Sequence, residues 1–394
     1  MRIGHYVLLA VAGIPFIYYL LALISTVKFF SRARAVRSGA APFTPPVSCL
    51  KPLRGLDEDA YDNFASFCRQ DYPEYEILFC VDADDPAVPL LKRLMDEYPS
   101  TRIRLIFGPD HFAINDKVAR LDRLSKEARF DVWVLADCDV CVQPDYLRSV
   151  VAPLRNKKTG AVTCFYAAAK TRTLTEKLQE VGMMCDFFPG ILVAWLLDGV
   201  KFGFGQTIVT TRERVEEFGG FRAIENRPAD DLLVCRSIAE AGYSIELLPY
   251  VVGTTPDFRT MKDLLYKRTR WMTVMRHMRP WGHLGLIFTF GLPWALLAVA
   301  IAPTILTAGV YLGGYLLVRL LMTWLVGVYG LKQSGLWGKM LLIPFWDATA
   351  FLIWLVSFTR RTIRWRGIDY TLQNGMLTLP GTDHSRKVSP QPEG

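Results

Sequence analysis

Charged side chains are missing from Ile3 to Val27, and only Arg319 interrupts the stretch from Leu284 to Leu331. Between Met340 and Phe358 there is again one, Asp347. A helix that crosses a bilayer needs about 20 largely apolar residues, so these blocks exclude a wholly water-soluble globule. The first holds one span and the second two, while Pro344 and Asp347 make the third borderline. Histidine is scarce, with five in 394 residues. His111, His277 and His283 stand singly, and no role is assigned to them. The eight cysteines are scattered. Cys138 and Cys141 have metal-like spacing, but no second pair follows at zinc-site distance, so free reduced thiols in a cytosolic domain are expected. A clear cleavage site is also lacking, and the run 6–27 is too long for a signal-peptide core, so it reads as a retained anchor.

The charge that is present is basic, with a net +8. Lys28, Arg32, Arg34 and Arg37 follow the first span, and Arg360, Arg361, Arg364 and Arg366 follow the third block. Those positions suit anionic headgroups and the positive-inside bias, and no nucleic-acid partner is expected. They put residues 32–280 in the cytoplasm. Spans near 284–307 and 310–330 then form a tight pair, and 340–358 is predicted to be re-entrant or interfacial. The expected layout is a multi-pass membrane protein with an anchor (1–31), a cytoplasmic domain (45–260) and an interfacial helix (261–281). A C-terminal membrane region (284–358) and a basic tail (359–394) complete it.

The middle of the chain alternates strands and helices. Strands are predicted at 47–50, 75–81 and 103–107 and at Trp133–Ala136, with helices at 57–70, 87–97 and 116–128 between them. A loop is expected from Lys51. This is the pattern of a doubly wound α/β unit, in which ligands sit outside the carboxyl ends of strands. Two strands end in acids, at Asp84 and Asp85 and at Asp137 and Asp139. Positions i and i+2 of a strand point the same way, so Asp137 and Asp139 could share a divalent cation with a diphosphate completing its shell. Beyond them come a strand at 160–168, a helix at 174–197 and a loop around Gly203 and Gly205 leading into a strand. Asp230 and Asp231 open a helix, where an acid is often only a cap. Asn115 and Lys117 follow a strand and have structural and nucleotide-contacting readings. A basic amphipathic helix, 263–278, carries Lys267, Arg268, Arg270 and Trp271, a composition suited to a membrane interface.

The order Lys51 to Gly55, Asp84-Asp85, Asn115 to Lys117, Asp137-x-Asp139, Asp230-Asp231 and Lys267-x-x-Arg270-Trp271, with apolar spans on both sides, resembles the ceramide glucosyltransferase family. So does the tail from Trp365 to Tyr370. The resemblance covers about residues 45–280 and the layout of the spans. It implies a GT-A (Rossmann-like) glycosyltransferase domain with transmembrane and interfacial helices, of an inverting kind that uses a UDP-sugar donor and Mg2+ or Mn2+. It implies that Lys51 is among the nucleotide-sugar contacts and that Asp85, with Asp84, lies near the uridine. Asp137 would face the diphosphate and metal, Asp231 would be the general base, and Arg270 and Trp271 would close over the diphosphate. Two positions depart from the family pattern. Lys267 stands where Gln or Arg is usual, and Asp186 stands near where a histidine is expected. The stretch from Phe187 to Val193 also looks like bacterial relatives that glycosylate hopanoids, so the acceptor is a membrane lipid, ceramide or hopanoid. A processive polysaccharide synthase shares the acidic motifs but needs more spans than this chain offers.

The chemistry needs such residues. Loss of UDP would develop negative charge that a cation held by Asp137 and Asp139, helped by Arg270, could neutralise. The acceptor hydroxyl must lose its proton as it attacks, and a carboxylate base contributes about 10²–10⁴-fold.

Overall fold

Alternating side chains along the central strands divide between two separate apolar layers. Cys49, Ile77, Phe79, Val81, Val132 and Val134 pack on one side with Phe64, Phe67, Leu91 and Leu94. Leu50, Leu78, Cys80, Trp133 and Leu135 pack on the other with Val118, Leu121, Leu124, Val234 and Ile238. A strand with both faces buried reads as a near-continuous apolar run, which is why these segments show no polar alternation. The computed structural model describes residues 3–35, 43–256, 258–365, 368–373 and 376–378. Arg37, Arg366 and the tail beyond 378 lie outside them.

The strands are β1 (Val47–Pro52), β2 (Tyr75–Val81), β3 (Arg102–Phe107), β4 (Val132–Leu135), β5 (Val140–Cys141), β6 (Thr159–Ala168), β7 (Ile208–Thr211) and β8 (Ser244–Thr254). They form one sheet in the order β3-β2-β1-β4-β7-β6-β8-β5. β1 is parallel to both β2 and β4, and β6 is parallel to β8. β7 runs antiparallel between β4 and β6. The carboxyl ends of β1, β4 and β6 therefore open on one edge, and β7 enters from it. The expected α/β unit is present. Helices Ala60–Cys68, Val88–Glu97 and Asp116–Glu127 lie where the periodicity places them. β1 runs two residues past its expected end, so Lys51 is a strand residue rather than the start of a loop.

The apolar segments are less regular than the sequence suggests. The 174–198 helix carries a π-helical turn at Met183–Phe187. The segment expected as one span at 284–307 is broken. Pro280–Thr289 and Gly291–Ile301 meet at 53°. Ile3–Arg32, Leu174–Asp198, Ile305–Gly330 and Ser334–Ser357 are each long and apolar enough to cross a membrane. The last was expected to be re-entrant or interfacial. It is one continuous helical run because the 3-10 segment Ser334–Leu342 leads straight into the helix Ile343–Ser357, with Pro344 tolerated in its first turn.

The two lone charges of the apolar blocks find each other. Arg319 and Asp347 form a buried two-pronged pair, with Arg319 Nε 2.9 Å from Asp347 Oδ2 and a second, shorter contact through Nη2. Tyr315 donates to the same carboxylate at 2.6 Å, and Arg319 also donates to the Cys185 carbonyl in the π-turn. A charge at this depth is held only when paired. Finally, β9 (Thr362–Trp365), β10 (Ile368–Gln373) and β11 (Met376–Thr378) form a small antiparallel sheet. Its Ile363, Tyr370, Leu372 and Leu377 pack against Ile114 and Val274.

Candidate active site

β4 ends at Leu135, and Asp137 is held just beyond it by main-chain bonds on two sides. Its N–H donates to the Gly205 carbonyl at 3.1 Å, and its carbonyl accepts from Lys51 Nζ at 3.0 Å. Lys51 is fully buried, with its ammonium 3.6 Å from the Phe67 ring centroid. Burial pulls its pKa down to about 8. Lys51 was expected among the nucleotide-sugar contacts. In the structure it braces the backbone of the Asp137 turn.

Three parts of the chain converge on Lys117, in the first turn of the Asp116–Glu127 helix. Its Nζ lies 2.7 Å from Asp137 Oδ1 and 2.9 Å from Asp230 Oδ2. Burial alone would depress its pKa, but Asp137, Asp230 and Asp231 outweigh that and hold it above the usual lysine range. Asp231 completes the group. Its Oδ2 accepts from the Gly205 N–H at 3.1 Å and its Oδ1 from its neighbour Leu232 at 2.8 Å. Burial, then the charge of Asp230, pushes Asp231 up to about 6 against the pull of Lys117. A carboxylate there is ionised at neutral pH and still basic enough to take a proton.

Gly205 leaves the space that the Asp137–Lys117 pair fills at this junction. A Cβ added to it would stand 2.7 Å from Asp137 Oδ2 and 3.0 Å from Lys117 Nζ. Ala229, just before the acid pair, has φ of 59°. That is the left-handed region, where a non-glycine residue is strained by about 1–2 kcal/mol. Such strain clusters at functional sites.

Several expected site residues hold the backbone around the site. Asn115 caps the Asp116–Glu127 helix through Val118 N, and its Nδ2 donates to the Arg227 carbonyl at 3.0 Å. It is fully buried and ties the 225–227 loop beside Asp230. Asp85 is also buried, and its two oxygens accept from Gly55 N at 2.7 Å and Ala87 N at 2.9 Å. It clips two loops of the sheet edge together. Asp84 is exposed on the same turn. Asp139 lies past Asp137, and its carbonyl accepts from Thr255 N at 2.9 Å.

The helix Met261–Met278, begun by a Thr260–Asp263 capping box, reaches the acidic edge. Trp271 and Lys267 line a cavity together with Asp139 and Gln206. Arg270 is half-buried on this helix. The basic face is not all outward, because Arg268 turns in between the rings of Trp271 and Trp346. Tyr166, on β6, lines the same cavity and was not singled out in the sequence. A lone tyrosine in an apolar strand carries no signal of that placement.

The chain matches the model of glycosyl transferase family 21 over residues 7–378. Ceramide glucosyltransferase 3 of Caenorhabditis elegans is 23% identical over 397 residues, covering 95% of this chain and 83% of the relative. A ceramide glucosyltransferase of Komagataella phaffii is 30% identical over 179 residues, 43% of this chain and 35% of the relative. Among solved structures, the mannosyltransferase PcManGT from Pyrobaculum calidifontis, in complex with GDP-Man and Mn2+, shares the fold. It has a TM-score of 0.53 at 18% identity, over 86% of this chain and 99% of its own. The expected GT-A architecture is therefore the one found.

Proposed function

The chain belongs to glycosyl transferase family 21, and from that premise we propose that it moves a sugar, glucose, from a UDP-sugar to a hydroxyl of a membrane lipid. By likeness to the ceramide glucosyltransferases the acceptor is ceramide and the product a β-glycosylceramide. The observation that carries this reading is the joining of two distant acidic segments: Lys117 bridges Asp137 to Asp230, and the Gly205 backbone links Asp137 to Asp231.

Each group has a task in that reaction. Asp231 takes the proton of the acceptor hydroxyl as its oxygen attacks the anomeric carbon. Attack opposite the leaving UDP inverts that carbon, so an α-linked donor gives a β-linked product. Arg270 and Trp271 cover the diphosphate from the interface helix. Asp84 and Asp85 shape the uridine end, Asp85 by fixing its loops and Asp84 by its exposed carboxylate.

Asp137 and Asp139 fit a Mg2+ or Mn2+ ion. They are hard oxygen donors two residues apart, and such ions are commonly held by one or two carboxylates plus substrate phosphates. No cluster of three or more candidate ligands occurs among the described residues, so the donor's diphosphate would belong to the shell. When bound, the ion neutralises charge on the departing diphosphate. In this reading 45–260 is a cytoplasmic catalytic domain, kept on that side by the basic residues after the first span.

Purified protein in detergent, given labelled UDP-glucose, UDP-N-acetylglucosamine or UDP-galactose with total membrane lipid, tests the reading. A labelled lipid that disappears with chelator supports it, and UDP release with no labelled lipid contradicts it. The similarity of residues 187–193 to hopanoid-modifying relatives favours one second reading, a hopanoid acceptor with UDP-N-acetylglucosamine. Identifying the labelled lipid separates the two.

A further inference from the structure

The cavity between the acidic edge and the apolar helices is walled by Asp139, Tyr166 and Gln206 on one side and by Gln179, Glu180 and Trp271 on the other. The helix that supplies Gln179 and Glu180 changes character along its length. Glu176, Gln179 and Glu180 are buried polar residues near its start, whereas Phe188–Leu197 has no charge or amide side chain. The whole of Leu174–Asp198 is long and apolar enough to cross a membrane. An amphiphile lying along it would place its polar end at the cavity.

Buried polar groups need partners, and these three have them. Glu176 closes the capping box with Thr173, and Glu180 pairs with Lys339. Gln179 Oε1 accepts from Arg268 Nε at 2.7 Å. A guanidinium can only donate, so the amide oxygen must face Arg268 and the NH2 group must face away from it. That NH2 has no protein partner among the described residues, and Gln179 is a wall of the cavity.

We propose that the Gln179 NH2 group, oriented by Arg268, donates a hydrogen bond to a non-reacting oxygen of the acceptor lipid's headgroup. Gln179 is then a specificity residue for the acceptor and Arg268 its positioning residue. This rests on the lipid-transfer reading above.

The test measures initial rates with short-chain ceramide and UDP-glucose for wild type, Gln179→Glu, Gln179→Leu, Arg268→Lys and Arg268→Met. Gln179→Glu keeps the bond to Arg268 and removes the donor, so a purely structural role predicts little change. The proposal predicts an acceptor KM raised about tenfold in both Gln179 variants, the loss of one hydrogen bond, with donor KM within about twofold. Arg268→Lys, which still donates to Gln179, should lie closer to wild type in acceptor KM than Arg268→Met. An acceptor KM for Gln179→Glu equal to wild type, or an equal rise in donor KM, overturns the Gln179 assignment alone. A wild-type protein that labels no lipid overturns the transfer reading and this inference with it.

Discussion

The Lys117 ammonium sits 2.7 Å from the Asp137 carboxylate, and no sequence motif joins the two. Twenty residues and a change of element separate them, yet this contact joins the start of one helix to the end of β4. It also sets the electrostatics of Asp231, since Lys117 is the cation that pulls its pKa down against burial and Asp230. Replacing Lys117 by Met should lower kcat by roughly 10–100-fold, the value of one charge-assisted bond. The acid limb of the pH–rate profile should move to higher pH, because Asp231 loses its stabilising charge and must be deprotonated to act. An unshifted limb would separate Lys117 from the base.

Gly205→Ala should impair turnover without unfolding the protein. The new methyl meets Asp137 Oδ2 at 2.7 Å and Lys117 Nζ at 3.0 Å, and so pries apart the pair that organises the edge. Thermal midpoint and kcat, measured on the same preparation, should diverge. A variant with wild-type kcat would show that the spacing of Asp137 and Lys117 is not critical.

Asp85→Asn should act first on stability. Asn can present one oxygen, so one of the two backbone N–H groups now meeting Asp85 would face an NH2 group. An unsatisfied buried donor costs about 1–3 kcal/mol, visible as a lower midpoint in thermal unfolding. A large rise in donor KM at unchanged midpoint would instead assign Asp85 to direct nucleotide contact.

Asp347→Asn should destabilise the membrane region by about 3–5 kcal/mol, because it strands the Arg319 charge at depth. Arg319→Met combined with Asp347→Leu should recover part of that loss, since no lone charge remains. The recovery will be incomplete, as Tyr315 and the Cys185 carbonyl lose their partners. Thermal inactivation in detergent distinguishes the single from the paired replacement.

The parts of this molecule that are legible in the sequence are those whose cause is local. β2 and β4 announce themselves as apolar runs, and their ends carry the acids because the sheet edge is where the chain meets water. The isolated charges of Arg319 and Asp347 are visible as anomalies, but their pairing depends on how two helices pack. Direction is equally non-local: nothing in Ile208–Thr211 says that β7 inserts antiparallel between two parallel strands. The backbone bonds of Asn115 and Asp85 are not legible, because polar side chains that bond the backbone have the same composition as those that bond a substrate. Gln179 and Tyr166 gave no signal, since their roles come from the cavity wall they join. The straight span expected at 284–307 fails at Phe290, where the φ/ψ of −82° and 85° leave the helical region.

The most direct test of the account is the pH–rate profile of lipid glycosylation by the wild type and by Asp231→Asn. The wild type should lose activity below a limb near the value of about 6 to which burial and Asp230 raise Asp231. Asp231→Asn should lower kcat by about 10²–10⁴-fold, the contribution of a positioned general base, and the limb should vanish. Transfer by Asp231→Asn at the wild-type rate, with the same limb, would contradict the account.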